Sequence, residues 1–305
     1  MVKGRAKSSG RRPGLTKAEP YIFMSPAMLA LLLMFAYPLI SCFYIAFQNY
    51  NLKELNNIYF IGFDNFTHLF KDKNIQMIAK NTLMYVTVCL AGQFLLGLIL
   101  ALTLWRPFRG RSLYQGIVFL PWAMSSFVVG LIFRWSFNGE YGVVNHVMMK
   151  LGIIQEKITW LGSPTNAIWV VIFAVVWMGI PFFGIMIMAA LQSIPDDIFE
   201  AANIDGCGTI RKFFTITIPF IKPTLITTIM LRCIWIFNGV EMVMVVTEGG
   251  PGYHSEILSS YLYTKAYSSL DFGFAAALGI IFMIVLLVFI AIYLKVTQFS
   301  KAGDF

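Results

Sequence analysis

From Tyr21 to Phe47 the chain runs without a charged side chain, and apolar runs of similar length recur five more times. They are Asn81 to Trp105, Ser112 to Phe133, Asn166 to Ala190, Phe220 to Thr247 and Phe272 to Leu294. About 20 apolar residues suffice for a helix to cross the hydrocarbon core of a bilayer. In that medium only helices and closed barrels satisfy every backbone N–H and C=O, and a barrel would show alternation over segments of about ten residues. These runs show no such alternation, and only the fifth is interrupted by charge, Arg232 and Glu241 among its residues. The sequence therefore predicts an all-α, polytopic membrane protein with six transmembrane helices. Its 12% charged residues are about half the share of a soluble chain.

Most of the 23 Lys and Arg fall on one side of this arrangement. Lys3, Arg5, Lys7, Arg11, Arg12 and Lys17 precede the first span, Arg106, Arg109 and Arg111 follow the second, Arg211, Lys212 and Lys222 follow the fourth, and Lys295 and Lys301 close the chain. Positive charge gathers on the cytoplasmic side, so both termini are expected there. The net charge of +8 reads as a topology signal, not as a nucleic-acid surface. The length of the first run and Pro38 within it read as a retained helix, not a cleaved signal. Cys42, Cys89, Cys207 and Cys233 have no disulfide or metal spacing and read as small buried hydrophobes. His68, His146 and His254 all lie in exterior segments, so no catalytic or metal cluster is expected at membrane depth, and no cofactor is expected on this chain.

The predicted organisation is a basic tail over residues 1–20, one transmembrane unit over 21–297 and a short tail over 298–305. Gly62-Phe63-Asp64-Asn65-Phe66 reads as a turn into a short helix, and residues 143–158 as an interfacial helix between Gly142 and Gly162-Ser163-Pro164. Pro38, Pro121 and Pro181 should kink their spans, and Gly92 and Gly97 with Ala91 and Ala101 should let the second span approach its neighbours. A polar, turn-rich insert occupies residues 191–219. Ser193 is expected to cap its first helix, Pro195 to open it, and Asp196 and Asp197 to favour the positive end of its dipole. Gly206 should end that helix, and Arg211 and Lys212 should remain available to water or phosphates. The chain has no Gly-x-x-x-x-Gly-Lys-Ser/Thr phosphate loop, so a transporter built on it would take its ATPase from another chain.

Within the insert, Glu200-Ala201-Ala202, then Gly206, then Ile216-Thr217-Ile218-Pro219 resemble the signature of membrane subunits of binding-protein-dependent ATP-binding-cassette importers. Trp235-Ile236-Phe237-Asn238, Thr247-Glu248-Gly249-Gly250-Pro251 and Tyr261-Leu262-Tyr263 resemble the carbohydrate-importing branch, the six-span first permease of maltose, oligosaccharide or glycerol-phosphate importers. Three positions depart from that pattern: Ile218 stands where Leu is usual, Cys207 where Ala is frequent, and Glu248 where the family often has Gly. The resemblance implies a type I importer permease fold in a bacterial cytoplasmic membrane. It also implies that Glu200, Ala201, Ala202, Asp205 and Gly206 form the surface gripped by a cytoplasmic ATPase. The implied partners are a second permease, two ATPase subunits, an extracytoplasmic solute-binding protein and a carbohydrate substrate.

Arg232 and Glu241 are costly in lipid and should face the bundle interior, water or a partner. An unbroken helix turns the nine residues between them through about 180°, so it could not aim both at one solute. Trp235, Asn238 and Glu241 fall on one stripe suited to a sugar, whose hydroxyls take amide and carboxylate partners and whose apolar face packs on rings. The bland alternative is that Asn238 and Glu241 tie neighbouring helices while Arg232 snorkels or meets the second permease. Two rival functions are an ion-gradient-driven secondary transporter, which usually shows inverted repeats and midplane carboxylates, and a non-transporting membrane scaffold or lipid-modifying enzyme.

Overall fold

The computed structural model describes residues 19–297; the basic tail through residue 18 and the tail from 298 lie outside the described residues. Among the described residues the regular elements are all helices, and extended pairing is limited to two isolated bridges, Gln48 with Phe60 and Asn51 with Asp271. The first span consists of α1 (Glu19–Leu31) and α2 (Tyr37–Ile45), joined by a wide π turn over Leu32–Ala36. Pro38 follows that turn and cannot donate to the carbonyl four residues earlier, so the helix widens to pass it. No residue of this span's apolar window is buried.

Asp64–Lys71 forms α3, as the Gly62-Phe63-Asp64 turn predicts. Buried Asn65 holds it under the first span by donating to the carbonyls of Ala46 (2.8 Å) and Gln48 (2.9 Å). The second span, α4, runs over Ile75–Trp105. It begins six residues earlier than the uncharged run because Asp72 Oδ1 takes the Asn74 N–H at 2.9 Å and starts the helix outside the apolar zone. The third is not one rod. It is α5 (Arg111–Ala123) followed by α6 (Ser126–Ser136), bent by 92° across Met124 and Ser125, just after Pro121.

The expected helix over residues 143–158 shortens to α7 (Val143–Lys150), and Gly152 at φ +70° turns the chain out of it. The stretch beyond that turn is held by a side chain instead of a helix ladder. Buried Asn145 donates to the carbonyls of Gly139 and Ile158 (2.9 Å each) and accepts from Trp160 Nε1 (2.8 Å).

The fourth span, α8 (Ala167–Gln192), passes Pro181 without a break. Then come α9 (Asp196–Ile204), α10 (Thr209–Lys212), a second wide turn over Phe213–Thr217 ahead of Pro219, and α11 (Ile218–Phe237). The fifth span is thus a single long helix from Thr209, starting well before Phe220. It stops at Asn238-Gly239, and α12 (Val240–Val246) follows as a separate short helix. The chain ends in α13 (Leu258–Tyr263) and the sixth span, α14 (Phe272–Thr297).

The core is built on the α4 and α8 pair. A Cβ on Gly97 would stand 2.4 Å from Phe183 Cβ, and one on Gly184 would stand 2.9 Å from Leu100 Cδ2, so the two backbones nearly touch. This is the close approach that Gly92, Gly97 and Ala101 predict. A smaller cluster of Leu69, Ile78, Tyr261, Phe274 and Leu278 binds α3, the N-terminal end of α4, α13 and α14 together.

The loop after α12 is held by Asn81, whose Nδ2 donates to the carbonyls of His254 (2.9 Å) and Glu256 (3.2 Å). Glu256 itself is buried beneath that loop and accepts from Ser260 and from Thr264 Oγ1 (3.0 Å). Burial raises its carboxyl above the ordinary value, and the two hydroxyl donors oppose the shift.

This packing has two testable outcomes. Gly97→Ala should cost about 1–3 kcal/mol by overpacking the α4–α8 contact, whereas Gly116→Ala, where an added Cβ meets nothing within 4 Å, should not; thermal unfolding in detergent reads the difference. Because the folded state binds the Glu256 proton more tightly than the unfolded chain, its contribution is fully present below the ordinary carboxylate range. It is lost as pH rises through the raised value. Melting temperature should therefore fall over that window in the native chain, and Glu256→Gln should flatten that part of the profile.

Candidate functional site

The insert begins where α8 runs out of apolar sequence. Ser193 does not cap the next helix as expected; its Oγ donates back to the Ala190 carbonyl at 2.8 Å and finishes α8. Pro195, extended at φ −61° and ψ 137°, takes the N-cap position of α9 instead of its first helical one, and Asp196 and Asp197 fill the first turn.

The short helix has two faces. Phe199 packs on Trp105 at 5.3 Å between centroids, and Ala202 is buried against the protein's own body. Glu200, Ala201, Asp205 and Gly206 are exposed, with Ile204 beside them 87% exposed. Of the five residues expected on one surface, four are presented together and Ala202 anchors the helix from behind.

Gly206 adopts φ +68°, the left-handed region where a side chain is strained. The Cys207 N–H then closes on the Ala202 carbonyl at 2.9 Å, so Gly206 ends the helix as the sequence predicts. Lys212 is not left to solvent: its Nζ lies 2.5 Å from Asn203 Oδ1 and staples α9 to the start of the fifth span.

The second site lies where the fifth span breaks. Asn238 Nδ2 donates to the Ile234 carbonyl at 2.9 Å, and Gly239 at ψ 76° leaves helical geometry. The break overturns the geometric premise drawn from an unbroken helix. Arg232, Trp235, Asn238 and Glu241 all line one open cavity of about 390 Å³, together with Tyr85 and Ser126.

Each charged group there is held. Arg232 Nε donates to Gln93 Oε1 at 2.6 Å, and Gln93 Nε2 in turn donates to the Val175 carbonyl at 2.8 Å. The guanidinium lies over the rings of Phe182 (5.5 Å) and Trp235 (5.9 Å). Glu241 accepts from the Ser126 hydroxyl. The cavity therefore offers a cation, a carboxylate, an amide and an aromatic face within one wall, which suits a polyhydroxylated solute.

Sequence reasoning missed Gln93, Ser126, Tyr85 and Phe182. A lone Gln inside an apolar span and an Asn-Gly pair inside another were the available signals. Glu248, just past the C-terminal end of α12, sits at φ +53°. That left-handed backbone gives a physical reason for Gly at this position. Here the Glu248 side chain pairs with Arg134 at 2.9 Å, and Arg134 also donates to the Val245 carbonyl at 3.1 Å.

Residues 93–298 match the family model described as binding-protein-dependent transport system inner membrane component. The sulfoquinovosyl glycerol transport system permease protein SmoG of Agrobacterium fabrum is 34% identical over 277 residues, 91% of this chain and 89% of that one. The diacetylchitobiose uptake system permease protein DasB of Streptomyces coelicolor is 32% identical over 297 residues, 96% and 89% of the two chains. The trehalose/maltose transport system permease protein MalF of Thermococcus litoralis is 29% identical over 281 residues, 92% and 94%. A crystal structure of a bacterial ABC transporter that imports the acidic polysaccharide alginate superimposes with a TM-score of 0.80 at 25% identity, covering 92% of this chain and 95% of that one. The chain belongs to the inner-membrane components of binding-protein-dependent transport systems, and it is a multi-pass transport subunit of an ATP-binding-cassette importer rather than an enzyme.

Proposed function

We propose that this subunit forms half of the translocation pathway of an ATP-driven carbohydrate importer, with the 191–219 insert as its cytoplasmic coupling element. The observation that carries the reading is the unbroken helical path from insert to cavity. One continuous helix leads from Thr209, stapled to α9 through Lys212 and Asn203, to Arg232 and the break at Asn238. A push on Glu200, Ala201, Asp205 and Gly206 would move the floor of the cavity. Family membership sets aside an ion-gradient-driven transporter or a scaffold.

The saccharide class is supported by the ring, amide and carboxylate on one cavity wall and by the sugars in the names of similar permeases. A second permease has a place to pack, because the apolar window of the first span is left unburied and the span meets the rest of the chain mainly where Cys42 and Ile45 near its end pack on Ala276, Ala277 and Ile280 of α14; we read the second permease as a different chain, giving a heterodimer. Two cytoplasmic ATPases and an external binding protein complete the assembly. With the bent α5–α6 pair counted as one span, six crossings return the chain to its starting side, which supports cytoplasmic placement of both termini. The chain is a single permease unit, and the insert is its one structured cytoplasmic element among the described residues.

A photo-crosslinker in place of Asp205 or Ile204 in the intact membrane should capture the ATPase, and one at the buried Ala202 should not. Gly206→Val should strain the left-handed turn by about 1–2 kcal/mol and lower binding-protein-stimulated ATPase more than ten-fold while basal ATPase persists. Full stimulation and uptake in that variant, with no crosslink from either exposed position, would remove the coupling assignment.

A further inference from the structure

We propose that a second saccharide subsite lies outside the first, at the far end of the α6 and α12 pair. These two short helices run side by side in the same direction. Their N-terminal ends meet where Ser126 bonds Glu241 in the inner cavity, and their C-terminal ends meet where Arg134 bonds the Val245 carbonyl and Glu248. Between the ends, Gly130 lets them touch: a Cβ there would stand 2.7 Å from Val245 Cγ1.

At the exterior end a separate open cavity of about 540 Å³ is lined by Arg134, Trp135, Asn138, Tyr141, Leu161 and Thr247. From Ser126 to Arg134 is eight helical residues, roughly 12 Å, so the two cavities stack along one rail.

The chemistry of the outer cavity repeats that of the inner one. Trp135 and Tyr141 stand 5.4 Å apart, ring to ring, and are 63% and 62% exposed, an unusual outlay of aromatic surface beside polar groups. Asn138 uses its Oδ1 to accept the backbone N–H groups of Glu140 (2.9 Å) and Tyr141 (3.3 Å), which leaves its Nδ2 for a hydroxyl. Arg134 spends one nitrogen, Nη1, on Val245 and Glu248, and a guanidinium carries five donors. Rings for the apolar face of a pyranose and amide and guanidinium donors for its hydroxyls are the same features that suit the inner cavity to a sugar.

This inference rests on the saccharide reading of the inner cavity, and assigns to that pathway an outer ring position. The chain of contact would let an oligosaccharide occupy both cavities at once.

The test uses the complete transporter, with both permeases, ATPases and binding protein, reconstituted in lipid nanodiscs. The probes are maltose, trehalose, N,N′-diacetylchitobiose and arabinotriose, restricted first to those the binding protein retains. Oxidation of individual tryptophans by N-bromosuccinimide is read by mass spectrometry. The expected result is several-fold protection of both Trp135 and Trp235 by the same saccharide, with Trp135→Ala raising the KM of uptake several-fold at unchanged kcat. Protection of Trp235 alone overturns the outer subsite and leaves the inner one standing. Trp135 shielded equally with and without saccharide marks a partner chain on the cavity and also overturns it. Protection of neither tryptophan, or a binding protein that retains none of the probes, removes the saccharide reading and the subsite with it.

Discussion

A helix in lipid can interrupt its own hydrogen bonds only where protein or water replaces them, and the fifth span does so at Asn238-Gly239. The Asn238 side chain returns a bond to the Ile234 carbonyl, and the cavity beside it supplies polar surroundings. Everything else about the membrane-embedded site depends on this interruption. It turns Glu241 toward the wall that holds Arg232 and Trp235, and it frees α12 to pair with α6. The 92° bend after Pro121 is its counterpart on the other side, because it brings Ser126 to Glu241.

A site of charges at membrane depth needs a stiff backing, and the α4–α8 pair supplies it. Gly97 and Gly184 bring those backbones together, and Gln93 on α4 stands between the Val175 carbonyl of α8 and the guanidinium of Arg232 on α11. One amide side chain thus ties three spans. Beside this pair, the segment from Thr209 to Asn238, on the order of 43 Å at 1.5 Å per residue, reaches from the insert to the cavity. The contact of Phe199 with Trp105 is where the insert meets the end of α4.

The fold class, the number of apolar segments, the insert and its Gly206 exit were legible because each rests on local physics: span length, uninterrupted hydrophobicity, and a glycine at a helix end. The features that escaped were those set by packing. Pro121 announced a kink, but only the fit of α6 against α12 makes it a right-angle bend. Arg232 and Glu241 looked opposed because helical periodicity was carried through an Asn-Gly pair that stops the helix. Ala202 belongs to the signature yet serves as an anchor, since the side of α9 that faces Trp105 is settled by a tertiary contact. Glu248 shows the reverse case: the left-handed backbone there explains a family preference for glycine that sequence alone could only note.

The central claim is that the broken fifth span lines a passage open to each side of the membrane in turn. Asn238→Cys, in a chain whose Cys42, Cys89, Cys207 and Cys233 have been replaced by serine or alanine, can be challenged from either side with a membrane-impermeant thiol reagent. The challenge is made in the assembled transporter, with and without ATP and the loaded binding protein. The account predicts labelling from the cytoplasm without nucleotide and from the exterior when ATP and the binding protein are present. A position 238 that stays unlabelled from both sides in every state would contradict it.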